Sequence, residues 1–269
     1  MTVPSDRKHH IDERFESDVR DSDYSKRLFL RVSAKERRFI KVDFRYTIFD
    51  TCYFRKCTFD SCDFTGCRFK DTSLVGSTFE GCTFNYAIFD KTYVENEVLD
   101  TGCPGLENLK LRFARSLRTN YQSLGDTESA KKALAVELEA TESHLRKAWR
   151  SNESYYRHKY RRVDRVKAFI QWTGFKFWDL MWGNGENIWK LLRAVLAIWF
   201  LMVITHVMIL GNPAHLPDYL KAVLSIPAIA FGVTKPDSYP ELYLTVVTVI
   251  RYVFLAMFIS VLIKRLSRR

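Results

Sequence analysis

An apolar residue recurs at every fifth position from Phe39 onward, and this spacing limits the possible folds more than any other feature of the chain. The series runs Phe39, Phe44, Phe49, Phe54, Phe59, Phe64, Phe69, Leu74, Phe79, Phe84, Phe89, Val94 and Leu99. Two positions before many of these stands a smaller residue: Thr47, Cys52, Cys57, Cys62, Cys67, Thr72, Ser77, Cys82, Ala87 and Thr92. A period of five matches neither the roughly 3.6-residue turn of a helix nor the roughly two-residue alternation of a strand. Wound into a helix, these phenylalanines would spread around the whole cylinder instead of building one face. The chain has to reset its direction every five residues, each time turning one large and one small side chain inward. That describes a solenoid.

Units such as CTFDS, CDFTG, CRFKD and CTFNY resemble the pentapeptide repeat, in a small–x–large register. The resemblance implies a right-handed quadrilateral β-helix with four pentapeptides to a coil. Residues 37–101 would then make about three coils, with 1–36 as an N-terminal lead-in or cap. The interior is expected to hold Phe44, Phe49, Cys52, Phe54, Cys57, Phe59, Cys62, Phe64, Cys67, Phe69, Leu74, Phe79, Cys82, Phe84 and Phe89. Some soluble pentapeptide-repeat proteins imitate duplex DNA with long acidic rods. Residues 37–101 carry 9 basic and 10 acidic side chains, a balance that does not copy a phosphate backbone.

Five of the six cysteines lie in or near the small slot, and Cys103 lies just past the last repeat. Cysteines five apart do not have the spacing of a zinc site. Free thiols acting as small hydrophobes in a reducing cytoplasm are expected instead, with no metal. No nucleophile–base pair, phosphate loop or cofactor fingerprint stands out, so neither an enzyme nor a bound cofactor is expected.

After Pro104 the apolar spacing becomes helical, through Leu106, Leu109, Leu111, Phe113, Leu117 and Tyr121. Gly125 reads as a helix stop, with Asp126 or Thr127 capping the next helix. The run NYQSLGDTESAKKALAVELEA resembles one helical hairpin of the tetratricopeptide type. Residues 104–150 are read as a helical hairpin connector that covers the open end of the solenoid.

The net charge of +11 is unevenly distributed. Residues 1–145 carry 23 basic and 24 acidic side chains, 146–193 carry 12 and 4, and 194–269 carry 7 and 3. The excess flanks two apolar stretches, 191–210 and 243–263, each about as long as a helix that crosses the hydrocarbon core. By the Lys/Arg bias both termini are expected in the cytoplasm, in a multi-pass protein of the plasma (inner) membrane. The opening MTVPSDRKHHIDERFESD has no apolar core of a signal peptide, so insertion is expected to rely on the spans. Residues 151–186 combine HKYRRVDRVK with Trp172, Phe175, Phe177, Trp178 and Trp182, and read as a basic amphipathic helix on anionic headgroups rather than a nucleic-acid surface.

Between the spans, YLKAVLSIPAIAFG is apolar but too short to cross. Residues 218–236 are read either as a re-entrant segment, with Asp218 capping its helix, or as an interfacial helix. A span, a short helix, a glycine loop and a second span, over residues 187–269, resemble the pore module of two-transmembrane cation channels. That resemblance makes Ala228, Ile229, Ala230, Phe231, Gly232, Val233 and Thr234 candidates for pore and selectivity, with Lys235 and Pro236 closing the loop. Ala228, Ile229 and Ala230 stand where the potassium filter has Thr, Val and Gly, so potassium selectivity is not expected. Arg251 lies within the second span, where a charge must face protein or water. It is either paired with carbonyls or with an acid such as Glu241, or it is a pore charge favouring anions. His206 is either titratable or a packing histidine.

The sequence thus points to an α and β membrane protein in which two spans and a re-entrant pore helix form a channel-like homo-oligomer, a tetramer by resemblance. The solenoid would serve assembly, gating or sensing, with a cytoplasmic protein or small ligand as partner. The alternative is a membrane-anchored interaction scaffold with no conductance.

Overall fold

The computed structural model describes residues 7–234 and 239–266. The chain divides into two compact units, Met1–Phe169 and Ile170–Arg269, and each is taken by itself.

In the first unit the five-residue period becomes a four-sided coil. Leu28–Leu30 pairs in parallel with Ile48–Asp50, Ile48–Asp50 with Arg68–Lys70, and Arg68–Lys70 with Ile88–Asp90, each time in a register of twenty residues. Three parallel sheets of five, four and three strands form three faces. A row of single bridges, Asp23 to Asp43 to Asp63 to Thr83, marks the fourth. At the corners the backbone enters the left-handed region, at Lys41, Tyr46, Thr51, Lys56, Ser61, Gly66, Asp71, Gly76, Gly81, Tyr86 and Lys91, with φ from 47° to 71°. Only three of these are glycines. Each other corner carries a conformational cost of about 1–2 kcal/mol, which the stacking of the coils offsets.

Those stacks are aromatic. Phe49 and Phe69 lie 4.8 Å apart and nearly parallel, as do Phe69 and Phe89 at 4.9 Å. Phe39, Phe59 and Phe79 form a second column, and Phe44, Phe64 and Phe84 a third. Offset aromatic pairs add about 0.5–1.5 kcal/mol beyond their buried area.

The solenoid is longer than the sequence reading. It has about four turns rather than about three, and the ladder starts at His9–Ile11, which pairs with Leu28–Leu30. Residues 9–36 are therefore coil and not a separate lead-in. The five-residue period breaks there for two reasons. His10 aligns with Phe29 one residue short of the usual register, because the interior positions Phe15 and Val19 are only four apart. Ala34 then takes a large slot, and Phe15 reaches across it to Phe39 and Phe54 at ring distances of 5.2 and 6.4 Å.

The last coil is closed by helices. A short helix, α1 (Val98–Thr101), leads to α2 (Glu107–Ser123) and α3 (Thr127–Arg150), which pack as a hairpin. Gly125 has φ +75°, and the Asp126 carboxylate accepts from the Ser129 N–H at 3.0 Å as the cap of α3. Helix α2 lays Phe113, Ala114, Leu117 and Tyr121 on the last coil. Beyond it, α4 (Ser154–Lys159) and α5 (Arg162–Trp182) follow, and Ala148, Tyr156 and Ala168 form a small core of their own.

The second unit holds α6 (Ile188–Leu210), α7 (Leu216–Ala230) and α8 (Glu241–Leu266). Two stretches, Ile188–Leu210 and Glu241–Lys264, are long and apolar enough to cross a membrane. Their most apolar windows are only 22% and 17% buried, whereas the core helix of a soluble protein is mostly buried. The two run antiparallel. Lys264 Nζ meets the Gly185 carbonyl at 3.4 Å and Glu186 at 3.5 Å at one end. At the other end His206 bonds the Tyr239 hydroxyl, and Thr205 lies 3.4 Å from that of Tyr243.

Candidate functional site

The solenoid interior is lined by phenylalanines and small side chains. All fifteen expected interior residues, from Phe44 to Phe89, are buried. The small slots do more than fill space: Thr47, Thr72 and Ser77 donate to carbonyls of the coil before. Ser77 Oγ donates to the Phe54 carbonyl at 3.0 Å and Thr72 Oγ1 to that of Phe49 at 3.3 Å. Thiols replace hydroxyls in the same geometry, Cys52 to Phe29, Cys62 to Phe39, Cys67 to Phe44 and Cys82 to Phe59, at 2.8–3.4 Å. Burial pushes the Cys52 thiol up to about 12 and raises Cys57 and Cys67 as well, so thiolate is scarce. All six cysteines are free thiols. Among the described residues no cluster of His, Cys, Asp or Glu is placed to hold a metal.

Chemistry-bearing residues of the second unit converge at the end of α7. This helix starts at Leu216 with Pro217 in its first turn, two residues ahead of the expected cap. Asp218 does not cap it; its carboxylate accepts from the Asn212 N–H at 3.0 Å and lies 3.4 Å from His215. One face of α7, Ala222, Ile226 and Ile229, is buried with Met202, Val203 and Val207 of α6 and Val247 of α8. The opposite face is apolar and open, with Leu216, Leu220, Val223 and Leu224 exposed.

The candidate pore residues close this helix. Ala228, Ile229 and Ala230 form its last turn, so they are helical rather than an extended filter. The Val233 N–H donates to the Ala228 carbonyl at 2.8 Å and the Gly232 N–H to the Ile229 carbonyl at 3.0 Å. With Gly232 at φ +75°, these two bonds form a Schellman cap. Phe231 and Val233 are exposed, and Phe231 meets Trp199 of α6 edge-on at 5.8 Å. Thr234 donates weakly to Ala228 at 3.4 Å. Lys235 and Pro236 lie outside the described residues.

Arg251 meets the same cap. Its guanidinium fills the space beside Gly232 where any other residue would carry a Cβ, and it lies 4.9 Å from the Tyr252 ring. Among the described residues it makes no ion pair with Glu241. A cation at a helix C-terminus meets the partial negative charge of the unbonded carbonyls. This pairing, between residues nineteen apart on different helices, has no local signature in the sequence. His206 bonds the Tyr239 hydroxyl, beside the stacked Tyr239–Tyr243 pair.

Residues 38–74 and 62–96 match the family described as Pentapeptide repeats, in 8 copies. This segment is a pentapeptide-repeat solenoid. No curated protein matches the chain. Among solved structures it is similar to that of trypsin-treated QnrB1, a plasmid-mediated fluoroquinolone resistance protein, at 11% identity and a TM-score of 0.18. The match covers 34% of this chain and 64% of that one, a likeness too slight to carry an argument.

Proposed function

We propose that this is a membrane-anchored pentapeptide-repeat protein whose solenoid is a cytoplasmic interaction scaffold. The observation that carries the reading is the closure of α7. An ion filter needs backbone carbonyls turned toward a conduit. Here those of Ala228 and Ile229 are engaged in the helix cap, and a fixed arginine stands over Gly232. The antiparallel α6 and α8 have their basic ends together, which suits a hairpin anchor with both ends on the cytoplasmic face. The solenoid, with no chemical site of its own, offers surfaces for a protein partner.

A second reading is favoured by one observation. The outer face of α7 is apolar, with Leu216 73%, Leu220 61% and Leu224 82% exposed, and Arg251 stands within the apolar α8. A channel-like homo-oligomer would cover the first and surround the second with protein or water. Selectivity would then favour anions, because four guanidinium groups about an axis repel cations.

Native mass in detergent together with current through planar bilayers decides between them. The scaffold reading expects integral membrane protein, resistant to carbonate extraction, with no conductance above that of the empty bilayer. A stable oligomer with unitary currents would replace it by the channel reading. Extraction by carbonate would sink both.

A further inference from the structure

Between α4 and the start of α5 the chain folds back on itself around an open cleft of about 580 Å³, lined by Arg157, Tyr160, Arg161, Arg162, Val163, Asp164 and Arg165. Four arginines face one aspartate across this lining. Two of the four are fixed from behind. Arg165 donates through Nε and Nη2 to the Trp149 carbonyl at 3.0 and 2.7 Å, and Arg157 donates through Nη2 to Asn152 Oδ1 at 2.7 Å. Tyr160, a wall of the cleft, is anchored through its hydroxyl to His144 Nε2 at 3.0 Å. The Arg161 and Arg162 side chains are exposed and make no ion pair or hydrogen bond among the described residues; the Arg161 carbonyl accepts from the Arg165 N–H at 3.0 Å.

This is the layout of an oxyanion receptor: anchored guanidiniums that need no ordering, and two free ones that can close on a ligand. A guanidinium fork matches the geometry of phosphate oxygens in pairs, which a lysine cannot do. The neighbouring surface identifies the source of the phosphate. Val163 is 67% exposed and Val166 59%. Spaced by three, they form an apolar stripe along the same helix. A soluble phosphate metabolite would not explain a greasy stripe beside its binding site, whereas a phospholipid covers both.

The geometry points to a specific site for an anionic phospholipid. Its headgroup phosphate lies in the cleft between Arg161, Arg162 and the anchored Arg157 and Arg165, and its glycerol and acyl region lie along Val163 and Val166. This inference rests on the membrane-anchored reading above, and it assigns that anchor a defined lipid contact in place of diffuse charge attraction.

The test uses the full chain in detergent, titrated with phosphatidic acid or with phosphatidylcholine, and bound lipid is counted by native mass spectrometry. Arg161→Gln/Arg162→Gln removes two guanidiniums that hold no structural bond and leaves the backbone bond from the Arg165 N–H to the Arg161 carbonyl in place. Arg14→Gln/Lys35→Gln removes the same charge from exposed positions on the solenoid. The expected result is phosphatidic acid retained in preference to phosphatidylcholine, with retention falling about tenfold in the cleft variant and unchanged in the control, a difference equivalent to one decade in Kd. Equal losses in both variants would overturn the site in favour of general charge attraction. Inorganic phosphate that binds as tightly as phosphatidic acid would overturn the lipid assignment and leave a free-anion site. Carbonate extraction of the intact protein from its membrane, with lipid retention preserved, would sink the spanning anchor and leave the cleft standing.

Discussion

The guanidinium of Arg251 occupies the place that a side chain at Gly232 would take, so a charge within one apolar helix and the cap of its neighbour form one structural unit. The relationship yields a coupled prediction. Gly232→Ala introduces a Cβ at φ +75° and drives it into Arg251. The left-handed backbone alone costs about 1–2 kcal/mol, and the collision adds to it. In Arg251→Ala/Gly232→Ala the collision is gone and only the backbone cost remains. A double-mutant cycle on thermal unfolding in detergent should therefore show a coupling of about 0.5–3 kcal/mol. Strictly additive effects would show that Arg251 does not rest on the cap.

How much of this was legible beforehand depends on the range of the interactions. The interior of the solenoid was readable from Phe39 to Phe89 because every coil repeats the same five-residue instruction, and a repeat is a local signal. The first coil was not, because a step of four between Phe15 and Val19 and an alanine at residue 34 break the period, although the stack continues through Phe15 and Tyr24. The two apolar helices were readable from length and composition. The stop of α7 at Gly232 is a local signal of the glycine, whereas the seat of Arg251 beside it, nineteen residues on in another helix, has none.

Within the solenoid the cost of a lost ring should depend on its place in the column. Phe64 is stacked on both sides, at 5.2 Å from Phe44 and 5.0 Å from Phe84, and is 1% exposed. Phe64→Ala should cost about 3–5 kcal/mol, the range for a large buried aromatic. Tyr24, half-buried at the first coil and stacked only on Phe44 at 5.9 Å, should cost clearly less. Denaturant unfolding of the two variants gives the comparison, and equal losses would mean the columns do not carry the stability.

The thiols should be silent until the chain unfolds. Five are buried, and Cys103 is half-buried with its thiol also raised by burial. Since thiolate is the reactive form, iodoacetamide near pH 8 should modify Cys103 slowly and the other five hardly at all. In guanidinium all six should react at once. Rapid labelling of any of Cys52, Cys57, Cys62, Cys67 or Cys82 in the folded protein would show that the coils open on the time scale of the reagent.

Acidification should loosen the junction of α3 and α4. His144 is held between the hydroxyls of Tyr156 and Tyr160, at 3.2 and 3.0 Å, and burial keeps its pKa below the ordinary 6.5, with the Lys159 charge acting in the same direction. The unfolded chain therefore takes up a proton that the folded site resists. The contribution of neutral His144 is fully present above about pH 6.5 and declines as pH falls below it, toward the depressed folded value. Thermal unfolding at pH 7.5 and 5.5 should show a drop in Tm that shrinks in His144→Gln. An identical pH slope in the variant would place the acid sensitivity elsewhere.

The open end of the last coil exposes the backbone of Thr92, and Asn120 of α2 answers it as a next strand would. Its Oδ1 accepts from the Thr92 N–H at 2.7 Å, and its Nδ2 donates to the Thr92 carbonyl at 2.7 Å. Ser116 Oγ accepts from the Phe89 N–H at 2.9 Å one face away. A side-chain amide has the same donor and acceptor as a peptide group, so one residue ends a parallel ladder without leaving a free edge. Asn120 is 1% exposed, so water cannot replace it. Asn120→Leu keeps the bulk, leaves both Thr92 groups unpaired, and should cost about 2–6 kcal/mol, given about 1–3 for each buried group left unsatisfied. Asn120→Asp retains the acceptor for the N–H but sets a second oxygen against the carbonyl, so it should be no milder. Hydrogen exchange at the Thr92 amide separates this from a mere packing defect. Exchange should quicken strongly in Asn120→Leu while the Phe69 and Phe49 amides, one and two coils below, keep their protection. If Thr92 stayed protected, the ladder would be closed by burial under α2 and not by the amide.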